Sequence, residues 1–131
     1  MSQENVAGYR SAVDALNQRD LDGFLALMDE EVDTRSRLAT IEGGYHGHDG
    51  VRRWWRDLFA ALPDFTVEVV DVRASDDVTI AEIRNRARGA DSRAPVSETL
   101  WQVARWRDGK VVWWSAYPIC SEALEAVGLS E

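Results

Sequence analysis

Between Glu4 and Arg19 the apolar residues Val6, Tyr9, Val13 and Leu16 recur at helical spacing and predict a helix with one apolar stripe. Asp20 then reads as the N-cap of a second, short helix over LDGFLALM, with Leu21, Phe24, Leu25 and Met28 turned inward. The segment VDTRSRLA alternates and predicts a strand, followed by the glycine-bearing loop IEGGYHG. A third helix fits HDGVRRWWRDLFAAL, where Val51, Trp54, Trp55, Leu58, Phe59 and Leu62 take the spacing of a core-facing helix. It stops before Pro63, because a proline pushes the preceding residue out of the helical region.

After Pro63 the period changes. FTVEVVDVRA, VTIAEIRNRAR, VSETLWQVARW and KVVWWSAY are four runs rich in β-branched and aromatic residues. Turns are predicted at Ser75-Asp76-Asp77, across Gly89 to Pro95, and at Asp108-Gly109, where RDGK is a hairpin signal. A closing helix, SEALEAVGL, has Ser121 as its expected N-cap and Gly128 as its stop. Helices first and a long meander afterwards give an α+β domain, with a curved, mostly antiparallel sheet wrapped round three N-terminal helices.

Alternation also assigns faces. On VTIAEIRNRAR one face carries Thr79, Ala81, Ile83, Asn85 and Ala87, and the other Ile80, Glu82, Arg84, Arg86 and Arg88, a charged face expected in solvent. On VSETLWQVARW the inward set is Val96, Glu98, Leu100, Gln102, Ala104 and Trp106. Thr34 and Ser36 join from the first strand, and Val112, Trp114 and Ala116 from the last; a β-bulge reverses such a set locally.

At 131 residues the chain is read as one domain, residues 1–131, able to build a core without metal or disulfide staples. Six tryptophans are many for this length, and large aromatics fill a core or line an apolar cavity. A formal net charge of -8 repels nucleic-acid phosphates and anionic membranes, so neither is an expected partner. The lone Cys120 excludes an internal disulfide and a multi-cysteine zinc cluster, and without a histidine base beside it the thiol is no candidate nucleophile. No apolar run approaches the ~20 residues of a membrane span, and MSQENVAGYR has no signal core, so the expected location is the cytoplasm.

LNQRDLDGFLALMDEEV is similar to the helix-turn-helix opening of nuclear transport factor two-like domains, ketosteroid isomerases among them. GYHGHDGVRRWWRDLFAALPDF resembles the Gly-x-x-Gly-[Val/Ile]-Arg third helix of the SnoaL-like branch, and WRDGKVV and SEALEAVGL resemble its last hairpin and tail. The likeness runs over nearly the whole chain. It implies a cone with an apolar pocket at one end, a homodimer paired through the outer sheet face with Trp101 or Trp113 exposed there, and no cofactor. Members include isomerases, cyclases, epoxide hydrolases, dehydratases and non-catalytic binding domains, so fold leaves the chemistry open.

Residue-by-residue carry-over removes the steroid isomerase chemistry. The family's helix-one tyrosine falls on Ala12, its aspartate base on Ser36, and its protonated acid near Gln102. Tyr9 and Asp33 stand three positions away and are expected to point elsewhere. An Asp-Arg-Asp set of epoxide hydrolases finds no convincing place, and the HxH pairs of dehydratase-like members do not recur on the late strands.

Among the inward residues Glu98 is the candidate catalytic acid or base, since a carboxylate among apolar neighbours holds its proton more tightly. Asn85 and Gln102 are candidate donors to a substrate carbonyl, or partners of one another. Tyr9, Ser36, Trp55 and Trp114 complete the candidate binding set. Two readings stay open: a cofactor-free acid-base enzyme on a hydrophobic carbonyl compound, or a non-catalytic ligand-binding or dimerisation module. In YHGHDGVRRWW, His46 and His48 with Asp49 suggest a metal, but no further histidine completes a ligand set. The stretch is read instead as a helix start, with Asp49 in the first turn and Trp55 as a pocket wall.

Overall fold

A computed structural model describes residues 2–35, 45–88 and 96–129. The chain runs α1 (Ser2–Asn17), α2 (Leu21–Ala26), β1 (Met28–Arg35), β2 (Tyr45–His46), α3 (Gly47–Ala61), β3 (Thr66–Ser75), β4 (Val78–Ala87), β5 (Val96–Arg107), β6 (Lys110–Tyr117) and α4 (Cys120–Ala126). One open sheet of order β2-β1-β6-β5-β4-β3 carries every strand, antiparallel except where β1 runs parallel to β6. The expected α+β architecture is observed, as a mixed sheet with helices packed on it. Among the described residues no helix is long and apolar enough to cross a membrane.

Local chemistry sets most boundaries. The Asp20 carboxylate caps α2 by accepting from the Gly23 amide at 3.0 Å. That helix ends at Ala26, earlier than expected, so Met28 is a strand residue; it is 2% exposed all the same. The first strand therefore starts before Val32, and its expected continuation past Arg35 lies outside the described residues. Within IEGGYHG, Tyr45 and His46 form a short strand, with His46 opposite Asp33. The expected Ser121 cap is not used: α4 begins at Cys120, and Ile119 stands at its N-cap without a side-chain bond.

Two side chains tie α1 to the sheet's far edge. The Asn17 amide bonds both the carbonyl (2.8 Å) and the N–H (2.9 Å) of Val67, as a neighbouring strand would. Arg19, at φ 62°, donates to the Pro63 and Phe65 carbonyls at 2.9 and 2.8 Å, and its guanidinium lies 3.9 Å from the Phe59 ring centroid. Near the middle of α1, Gly8 leaves room for the Trp106 ring, whose Nε1 donates to Thr79 Oγ1 at 2.9 Å.

The main core lies between α1, α2, α3 and one sheet face. A smaller cluster, Val78, Val103, Ala123 and Val127, lies under α4 on the other face. Trp101 and Trp113 pack against this second cluster and are half-buried, contrary to their expected exposure, because α4 folds back over that face.

Candidate functional site

A cavity of about 200 Å³ opens between the helices and the inner sheet face. Its walls follow from strand period and helix period. Asn85 from β4 and Glu98, Leu100, Gln102, Ala104 and Trp106 from β5 all line it, so the alternation assigned these faces correctly. On β6 the lining residue is Val111, where Val112 was expected. A bulge is the cause: Arg105 pairs Trp113 and Trp106 pairs Val111, which leaves Val112 unpaired and turns the set over at that point. Trp114 and Ala116 lie beyond the bulge and line the cavity as expected.

Helix α3 corrects the tryptophan assignment. Val51, Trp54 and Leu58 form its buried ridge, and Trp54 rather than Trp55 lines the cavity. Trp55 is rotated one position, about 100°, round the helix. Its ring meets Phe24 at 5.3 Å and Phe59 at 5.2 Å, packing beside the cavity. Trp54 reaches Phe24 at 5.8 Å and stands edge-on to Trp114 at 5.3 Å. These three rings form an aromatic wall, a geometry favourable beyond the area it buries.

Tyr9 does face the cavity. Positions three apart share a helix face, so Tyr9 and Ala12 both line it, contrary to the expected divergence. The Tyr9 hydroxyl donates to Gln102 Oε1 at 2.6 Å, linking α1 to β5. Burial holds the Tyr9 proton far more tightly than in water, so this hydroxyl stays neutral at physiological pH. Gln102, with its carbonyl so engaged, keeps two amide hydrogens to offer. Asp33, by contrast, is turned away, towards His46. Ser36 lies outside the described residues.

Asn85 and Glu98 are register partners on adjacent strands, which brings their side chains onto one patch of wall. Asn85 Oδ1 is buried without a hydrogen-bond partner among the described residues, and so are Trp114 Nε1 and Thr34 Oγ1. Thr34 and Trp114 are themselves register partners between β1 and β6. Of the described lining residues, only Leu62, Asn85, Glu98, Gln102 and Ala116 are not buried. Three polar side chains, Asn85, Glu98 and Gln102, are thus partly exposed, while the Tyr9 hydroxyl and the aromatic wall are buried.

The two histidines go to separate places. His48 Nε2 lies 2.9 Å from the Met28 carbonyl. The exposed His46 ring spans two carboxylates, Nδ1 to Asp33 at 2.9 Å and Nε2 to Glu31 at 2.8 Å. Among the described residues no group of three or more His, Cys, Asp or Glu is placed to hold a metal.

The SnoaL-like domain pattern matches residues 9–114. No curated protein matches the chain. Solved structures do. A nuclear transport factor two-like protein of unknown function from Burkholderia pseudomallei has 19% identity and a TM-score of 0.79, over 95% of this chain and 98% of that one. A SnoaL-like polyketide cyclase, so described, from Jannaschia sp. has 14% identity and a TM-score of 0.76, over 88% of this chain and 85% of that one. An epoxide hydrolase from Mycobacterium tuberculosis has 16% identity and a TM-score of 0.73, over 88% and 83%. At these identities the likeness is one of fold.

His46 gives a pH dependence. The hydrogen bond to Asp33 and then that to Glu31 raise its pKa above the ordinary histidine value. Its contribution to stability is therefore complete below about pH 6.5 and is lost as pH rises through the raised folded value. Urea unfolding midpoints should fall over that upper range in the native chain, and the fall should shrink in His46→Gln. Parallel pH profiles for the two proteins would contradict the assignment.

Proposed function

The chain belongs to the SnoaL-like domain family, and from that premise we propose that it binds a hydrophobic small molecule in the cavity and performs acid-base chemistry on a carbonyl compound there. The observation that carries this reading is the pairing of Glu98 with Asn85 on one wall of a cavity whose depth is aromatic. A base and an amide donor on facing positions of neighbouring strands suit removal of a proton beside a carbonyl. Glu98 takes the proton, and the Asn85 amide donates to the carbonyl oxygen as negative charge gathers on it. Gln102, fixed by Tyr9, supplies amide hydrogens to a second polar group of the ligand. Isomerisation, cyclisation and dehydration all begin with such a step. No cofactor is required for it.

The second reading, a non-catalytic binding module, is favoured by one observation. The Tyr9 proton is already committed to Gln102 and is not offered to a ligand. We also infer a homodimer through the outer sheet face, which carries half-buried Trp101, Trp113 and Tyr117. In sedimentation velocity at micromolar concentration the species should have twice the 14.7 kDa chain mass; a single monomer boundary would remove the dimer.

The two-ring ketone 2-tetralone separates enzyme from module. With the protein in deuterium oxide, proton NMR should show accelerated loss of its α-hydrogens, and Glu98→Gln should slow that loss by about 10²–10⁴-fold while leaving binding intact. Unchanged exchange in the variant would remove Glu98 from the mechanism. Tight binding with no exchange above background would leave the module.

A further inference from the structure

The cavity is sorted along its length, and the sorting says which end of a ligand goes in first and what the other end must carry. Trp54, Trp114 and Phe24 are buried and lie at depth. Glu98, Asn85 and Gln102 are the polar lining groups that are partly exposed, whereas the Tyr9 hydroxyl is buried and already bonded to Gln102. Along β5, Glu98 and Gln102 are four residues apart, about 13 Å of strand, with Leu100 between them. Their side chains stand on the sheet's inner face and both line the cavity.

The charge at this mouth is one-sided. Glu98 is the acidic side chain of the lining, and no Lys, Arg or His lines the cavity among the described residues. A carboxylate offers about four acceptor sites, so a protein partner does not exhaust it. Asn85 adds an amide beside it in register, with an oxygen that lacks a partner among the described residues. Acceptors collected in this way ask for hydrogen-bond donors from the ligand. An anionic head would meet Glu98 at close range in a chain whose formal charge is already -8. Size narrows the choice further. At about 200 Å³ the cavity falls below the 300–1,000 Å³ usual for drug-sized ligands and slightly above one that holds a single benzene ring.

We propose that the ligand of this site is a one- or two-ring, largely apolar molecule that enters ring first, to lie against Trp54, Trp114 and Phe24, and carries at its outer end, beside the carbonyl that takes the Asn85 amide hydrogens, a neutral or cationic group that donates hydrogen bonds to Glu98 and to Asn85 Oδ1. A hydroxyl or an amine fits; a carboxylate is refused. This rests on the reading of the cavity as a small-molecule site. It adds the head-group chemistry and the orientation.

Equilibrium dialysis at pH 7 with four probes tests it: naphthalene, 2-naphthol, 2-(aminomethyl)naphthalene and 2-naphthoate. The hydroxyl and amine probes should bind about tenfold more tightly than naphthalene, the size of one hydrogen bond to a charged group, and the naphthoate more weakly than naphthalene. In Glu98→Gln the amine should lose its advantage over naphthalene. Equal affinities across the four, or tightest binding of the naphthoate, would overturn the head-group inference and leave cavity binding standing. No binding of any probe would overturn both. As a readout independent of affinity, bound amine should quench the fluorescence of native protein less after Trp54→Phe; an unchanged quench would place the ring elsewhere.

Discussion

The hydrogen bond from the Tyr9 hydroxyl to Gln102 Oε1 joins residues 93 positions apart and fixes how far α1 stands from the middle of the sheet. The Tyr9 hydroxyl is buried, so leaving it unpaired carries the desolvation cost of a polar group. The bond therefore works as a spacer as well as a tie. A helix held at the length of a tyrosine cannot settle onto β5, and beneath it the small side chains Ala12 and Ala104 leave volume unfilled. The rest of the site depends on that standoff.

The other supports keep the same distance at the C-terminal end of α1 and near its middle. Asn17 grips the backbone of Val67, Arg19 holds Pro63 and Phe65, and the Trp106 ring fills the space left by Gly8. With the helix pinned at three places, the inner sheet face is enclosed without being filled. The alternation of β4 and β5 then decides which side chains enter the space. Asn85 and Glu98 arrive together because their strands pair in register there, and Trp54 arrives from α3 because it shares a ridge with Val51 and Leu58. Sequence, register and cavity chemistry are linked at these few positions.

Much of this was legible from periodicity. The faces of β4 and β5 read correctly because both strands run straight through their pairing with no slip between them. The lining of β6 was half legible: Trp114 and Ala116 were placed, but the bulge at Val112 exchanged Val112 for Val111, and no residue type there announces it. Trp54 and Trp55 lie on the same apolar stripe, and only the direction from which α2 and the sheet approach decides between them. Phe24 takes the Trp55 side of the helix as well as stacking on Trp54, so composition cannot tell wall from flank. The direction of Tyr9 was misjudged where it could have been read, since three residues on a helix preserve the face. The Tyr9–Gln102 contact itself is a tertiary fact with no local signal.

Membership in the SnoaL-like family, together with the shared fold of structures as different as a cyclase and an epoxide hydrolase, leaves chemistry to the individual cavity. The central claim is that this cavity is real, unfilled space held open by the Tyr9 standoff. The most direct test is the unfolding free energy of Ala12→Leu. Ala12 is 6% exposed and lines the cavity from α1, and leucine is nearly as good a helix former. Filling the space should stabilise the protein by about 0.5–2 kcal/mol. Destabilisation by about 1–3 kcal/mol, the cost of overpacking a closed core, would contradict the account.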